Sequence, residues 1–516
     1  MSEALRGEMS GTLLNAEMTL EHFVREYVAS LGGPKAGVID VLTKQGDKRL
    51  KQYVQDFAVN RSQPLQSRKD LVRMVSIHTE RLFGPGLANA MVARLERQSV
   101  VLTANHHGVD YHPIYVQGTV LYALPELLGQ SDRPPGHEAV VPVFSFGSVS
   151  LNNATFPRGI LLPAFPHPRE QSSHRIGVFP DRLKHTMVSF TPPMTRKMIT
   201  AAMERVEKLD QTRSLSRNVA ARLTDILKKD YLSDEVLAQE SYSDQASLLN
   251  DRLWRKVLGK SEGASPLRVV YLEIEPLVSD LLVQHDLHDE NSLAYRVLFD
   301  QELRHQVIDN LDSVSGCWYS SNGRGTTFFW GVDPQGRRFP LQLEEEGSSD
   351  WLVGKDWKGE SHRFRFAAQE LEQALADRRL LPGMFLCFLQ FAFARGIRCF
   401  GGPWQTTYLP RMQARLAAAL GRTKGYEDWK TSVEGVPTAN YVAGMTLAIA
   451  EGEGAACEAG MVELLAAGGL STSDFELLGN IRVKNAILNN FLLDKSPELV
   501  KMCCASNHPQ ILALKI

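Results

Sequence analysis

At 516 residues, with 43% hydrophobic and 22% charged residues, the chain is too apolar to be generally disordered and long enough to bury more than one core. Lys and Arg number 57 against 59 Asp and Glu, a net charge of −2 that predicts no strong field pulling the whole protein onto nucleic acid or an anionic membrane and leaves local patches open. No uninterrupted apolar run is long enough to cross a bilayer, because the longest, 380–394, is broken by Pro382, Gly383 and Gln390.

The N-terminal MSEALRGEMSG is polar, unlike a secretory leader. Cysteines 317, 387, 399, 457, 503 and 504 form neither a disulfide framework nor a paired CxxC zinc pattern. The expectation is a cytoplasmic protein with reduced thiols that acts on a small molecule, with no nucleic-acid or membrane partner.

The fold class expected is α/β, mixed and helix-rich. Residues 1–97 read as a helical N-terminal region, with Leu20, Phe23, Val24, Tyr27 and Val28 on one helix face and further helical patterns over 48–57 and 69–83. Residues 98–192 form an α/β, His-rich site region. Its strands are the apolar runs SVVLTA and EAVVPVFSFG, and 114–128 is a helix ending before Gly129. Residues 193–265 are a helical region, with apolar residues at helical spacing over 194–209 and 219–227.

Residues 266–410 read as an α+β region. A strand over 267–276 places Glu273 and Glu275 on one face, and Pro276 allows a helix to start. The acidic, histidine-bearing patch 285–290 reads as a solvated helix end. A β-hairpin follows, turned by Asp333-Pro334-Gln335-Gly336. Trp318, Trp330, Trp351, Trp357 and Trp404 cluster from here on and are expected in the core. Helices over 365–379 and 383–394 lead to a short strand at 397–400 and a Gly-Gly-Pro-Trp loop. Residues 411–516 read as a helical C-terminal region.

Chemistry concentrates in the second region. Seven of fourteen histidines lie there, at 106, 107, 112, 137, 167, 174 and 185, and the strand SVVLTA opens onto NHHGVDYHP. Imidazoles and carboxylates bind divalent metals or move protons near neutral pH, and α/β proteins place such groups in loops at strand ends. His106, His107, Asp110 and His112 are the candidate catalytic residues. His107, Asp110 and His112 are candidate ligands for a divalent metal, whether zinc, manganese or iron, with more distant ligands from His167, His174, His185, Glu273 or Glu275. Asn152, Asn153 and Arg158 offer carboxamides and a guanidinium to a substrate, and Gln405 and Tyr408 belong to a post-strand loop whose backbone N–H groups suit an anion.

The segments Asn105-His106-His107-Gly108 and 141–159 are similar to the ExHGxHxP and PPLPYGxSxxHxxFPGT loops of creatininase-type amidohydrolases, over about sixty residues. That resemblance implies metal-assisted cleavage of a C–N bond, with Asn105 standing where the family has a ligand glutamate. The first functional expectation is therefore a metal-dependent hydrolase of an amide or related C–N bond. The second is a metal-free acyl- or group-transferase using a His/Asp general base. The third is a non-enzymatic binding or assembly protein whose aromatic hairpin is the contact surface.

Overall fold

The computed structural model describes residues 36–59, 63–129, 139–162, 174–259, 267–347, 349–452, 455–493 and 511–515. His137, His167, Cys503, Cys504 and the helical pattern at Leu20 to Val28 lie outside them. The chain is mixed α/β and helix-rich, about 52% helix and 18% strand, with one parallel sheet and several small antiparallel ones.

Four strands build the parallel sheet: β1 (Val100–Leu102), β2 (Ala139–Ser145), β3 (Leu267–Glu273) and β4 (Arg398–Phe400). β2 and β3 are apolar along nearly their whole length, as strands covered on both faces require. Alternate side chains feed two separate cores. Val100, Leu102, Val141, Val143, Val269 and Tyr271 belong to one, and Val101, Val140, Phe144, Val270 and Leu272 to the other.

Helices α1 (Pro113–Leu128) and α2 (Tyr242–Leu258) close the first face, while α3 (Ile274–Leu281) and α4 (Gln405–Arg422) close the second together with Lys69–Phe83 and Pro85–Arg97. Pro113 starts α1 with its φ already helical, and Gly129 follows its last turn, as the sequence indicates.

Across the sheet the order is β3-β2-β1-β4, all parallel. The chain moves outward from β1 to β3 and returns to the other side of β1 only with β4. Open α/β sheets bind ligands outside the carboxyl ends of their strands, where the order reverses. The loop carrying the histidines leaves the carboxyl end of β1, and Gly401-Gly402-Pro403-Trp404 leaves that of β4. β1 and β2 come from the 98–192 stretch, and β3 and β4 from 266–410.

The expected hairpin pairs Phe329–Val332 with Arg338–Pro340 around the turn at 333–336. Four expectations need correction. The helix after β3 begins at Ile274, two residues before Pro276, so Glu275 sits in its first turn instead of on the strand. The patch at 285–290 is not simply a solvated helix end, since Asp286 is 1% exposed and paired with the buried Arg395. Of the five tryptophans only Trp318 is fully buried, while Trp357 and Trp404 are 63% and 58% exposed.

The last correction concerns the C-terminal stretch, which is not all helical. Ala448–Gly452 and Ala455–Glu458 form a hairpin that Leu512–Lys515 joins in parallel. Tertiary context overrides the helix propensity of its alanines. Gln117 of α1 donates to the carbonyls of Ala448 and Ala459 (3.0 and 2.9 Å) and accepts from the N–H groups of Leu447 and Ala448 (2.5 and 2.9 Å), holding that backbone extended.

Candidate active site

The loop after β1 continues the sheet before it turns. His107 N donates to Phe146 O at 2.9 Å, and Thr103 N donates to Phe400 O at 2.8 Å. Gly108 then turns with φ +141°, a region that disfavours a side chain. Asn250 of α2 clamps the turn by accepting from Asp110 N and donating to Gly108 O, both at 2.9 Å. Tyr242 OH donates to Pro157 O at 2.6 Å and ties in the loop after β2. The result is a small cleft with about 10 Å³ of free interior, room for about one water, lined by residues 106–112 with Tyr115, Thr155 and Pro157.

His106 and His112 flank Tyr115, with ring centroids 5.4 and 5.3 Å from the tyrosine ring. Nδ1 of His106 lies 3.1 Å from Asn153 Oδ1, an acceptor, which assigns the proton to Nδ1 and leaves the Nε2 lone pair free. Burial pushes His106 down to about 4, and the neighbouring His112 and Arg338 add to the shift against the Asn153 bond. Burial alone takes His112 to about 4. Both imidazoles are neutral at pH 7.

Asp110 moves the other way. Burial raises it to about 7 even though Tyr271 OH (2.7 Å) and Asn105 Nδ2 (2.9 Å) donate to its Oδ2. Among the described residues Oδ1 has no partner. Asn105, at the position of the amidohydrolase glutamate, is fully buried in this polar knot and also reaches Thr119 and Tyr271.

His107 faces inward. Its register neighbours are set by the sheet, which places Ser145 beside Glu273 at the ends of β2 and β3. Ser189 and Ser243 both donate to the Glu273 carboxylate. With the Ser243 proton so committed, His107 Nε2 donates to Ser243 Oγ at 2.9 Å, and Ser145 Oγ donates to Nδ1 at 2.8 Å. Glu275 accepts from the N–H groups of Gly147 and Ser148, both at 2.9 Å, and is raised to about 7 by burial and by Glu273.

Gly147 is a steric requirement of this network, since a Cβ there would overlap the Glu273 carboxylate and lie 2.6 Å from Ser189 Oγ. Gly147→Ala should cost about 1–3 kcal/mol through overpacking, measured by urea unfolding. An unchanged midpoint would show the Glu273 network to be looser than its hydrogen bonds imply.

The remaining expected site residues divide. Asn153 serves the cleft through His106. Asn152 is exposed, and Arg158 is turned to Asp181, whose carboxylate it meets at 2.5 Å. Gln405 is buried, accepting from Thr103 Oγ1 at 2.9 Å and donating to Cys399 O at 3.1 Å, with Tyr408 OH 3.5 Å from it. These three therefore support neighbouring structure instead of lining the cleft.

His107, Asp110 and His112 do not converge on one point. Both His107 nitrogens are engaged by serines, and among the described residues the one group of three or more His, Cys, Asp or Glu with ligand atoms within 4.8 Å is Asp356, Glu360 and His362, on a hairpin turn. That group could hold a metal ion. Sequence reasoning missed Ser145, Ser189, Ser243, Asn250 and Tyr271. Their roles arise from long-range packing, and nothing in their spacing signals it.

Set against protein-family models, curated proteins and solved structures, the chain matches none of them. The creatininase-type likeness is thus confined to the loops that carry it. No helix among the described residues is long and apolar enough to cross a membrane.

Proposed function

We propose that the chain is an enzyme that transfers an acyl or similar group to or from a small molecule by general acid–base catalysis in the cleft beside β1. One observation carries this reading: a single cleft holds an imidazole lowered to about 4 and a carboxyl raised to about 7. Two titratable groups whose environments push their pKa values apart are the mark of an assigned base and acid. Near pH 6 His106 Nε2 is an open proton acceptor and Asp110 is mostly protonated, able to donate through Oδ1. His107 and the Glu273 network act as positioning residues, since they fix the loop while both His107 nitrogens are engaged by Ser145 and Ser243.

A second reading, the metal-dependent C–N hydrolase, is favoured by the same two neutral imidazoles, because His106 and His112 are already in the form that ligates a divalent ion. Elemental mass spectrometry of untagged protein, with a screen of activated acyl esters and amides, separates the two. The acid–base reading expects turnover without stoichiometric metal, falling roughly 10²-fold or more in His106→Asn. About one zinc, manganese or iron per chain, lost in His106→Asn with His112→Asn, would replace it with the hydrolase.

A further inference from the structure

The cleft beside β1 is so small that its size decides what it takes. A free interior of about 10 Å³ is close to the least that holds one water, and it leaves no room for a carbon attached to it. The loop geometry sets that limit. Asn250 holds the Gly108 carbonyl at 2.9 Å, and Pro157 presses so close that a Cβ on Gly108 would lie 3.0 Å from the proline Cβ. Tyr115 and Thr155 belong to the same lining.

That interior is also polar. His106, Asp110 and His112 all line it, and the two imidazoles pack against the one tyrosine ring between them. Nδ1 of His112 is buried and has no hydrogen-bond partner among the described residues. His106 Nε2 and Asp110 Oδ1 lack one as well, because the bonds of His106 are made at Nδ1 and those of Asp110 at Oδ2. A bound water needs about two to four polar partners, and unpaired polar atoms around a space of this size are where one is held.

We propose that the acceptor in this cleft is water, bound among His106, Asp110 and His112, so that an acyl group passes to water and not to an alcohol, amine or thiol. The inference rests on the acid–base reading above and names the second substrate of that site. Too large to enter, the acyl donor meets the water at the mouth of the cleft. As the water oxygen bonds to the carbonyl carbon, His106 Nε2 takes one of its protons. The bond from that carbon to the leaving group breaks, and the leaving group takes the proton of Asp110 Oδ1. The products are the free acid and the protonated leaving group. Transfer of the proton from His106 to Asp110 then restores the starting form, while His112 orients the water.

Two measurements on the full-length protein test it. A high-resolution crystal structure should show an ordered oxygen about 2.7–3.2 Å from an imidazole nitrogen of His106 or His112, and His112→Phe should lose it. With p-nitrophenyl acetate as the probe ester and methanol added, acetate should be the only enzymatic acyl product by NMR. His112→Phe should lower kcat about tenfold or more with KM little changed. A cleft without that oxygen, or enzyme-dependent methyl acetate rising in proportion to methanol, overturns the inference. Should His112→Phe fail to fold, the two wild-type measurements decide. Turnover of no ester despite the ordered oxygen would overturn the acid–base reading itself, whereas methyl acetate formed at a normal rate would overturn only the choice of water.

Discussion

Asp110→Asn is expected to lose on the order of 10²–10⁴ in kcat/KM and, with it, the alkaline limb of the pH profile. On the proposed mechanism the active form has His106 neutral and Asp110 protonated. The rate should rise as His106 sheds its proton through about 4 and fall as Asp110 sheds its own through about 7, giving a bell with a mildly acidic optimum. An asparagine has no proton to lose in that range, so the variant's residual rate should stay flat through pH 7.

Glu275 is the rival owner of that limb, being also raised to about 7. Glu275→Gln should leave the limb in place. If the limb survives in Asp110→Asn and vanishes in Glu275→Gln, the acid is misassigned. Stability is a poorer monitor of the same groups because their linkages oppose. The depressed His106 contributes stability above the ordinary imidazole pKa of about 6.5, lost as pH falls toward the folded value. The raised Asp110 contributes below about 4, lost as pH rises through its own.

The largest effect on folding should come from Arg395→Met, about 3–5 kcal/mol by urea unfolding. Arg395 is fully buried and meets Asp70 (2.5 Å) at the start of Lys69–Phe83 and Asp286 (2.8 Å) beyond α3, just before the chain enters β4. Removing it leaves Asp286, 1% exposed, without its cation. Asp70 adds a pH signature. Despite burial, the Arg395 guanidinium holds its carboxyl below the ordinary range, so its contribution is present above about 4 and lost as pH falls through the folded value. That acid loss should be absent in Arg395→Met. Replacing Asp70 and Asp286 by leucine as well should recover much of the stability, because a buried ion triad is often matched by apolar side chains of similar volume. A single variant as stable as the wild type would show that solvent reaches Asp286.

What could be read from the chain follows from how local the signal is. The apolar runs SVVLTA and EAVVPVFSFG, the helix over 114–128 and the turn at 333–336 each rest on neighbours a few residues away, and the structure has strands at 100–102 and 139–145, a helix at Pro113–Leu128 and that turn. The histidine loop stands out in the sequence as a candidate site because four polar groups directly follow an apolar strand. Their division of labour does not. His107 and His106 are adjacent, yet pleating sends one to Ser145 and Ser243 and the other to the open cleft. Arg158 was singled out for the company of glycines and carboxamides, whereas the structure turns it to Asp181. The C-terminal hairpin was hidden because its alanines favour helix and the side chain holding it extended, Gln117, lies more than 300 residues upstream.

The late arrival of β4 also bears on synthesis. β1 finds its outer neighbour only when Arg398 to Phe400 emerge, about 300 residues after Val100 to Leu102, or on the order of tens of seconds at ordinary ribosomal speed. Until then the nascent chain carries β1 as an uncovered apolar edge, the kind of surface that recruits other strands or chaperones. Chains truncated before residue 398 should keep β1, β2 and β3 yet aggregate, and pauses in translation between 275 and 398 would lengthen the interval of exposure.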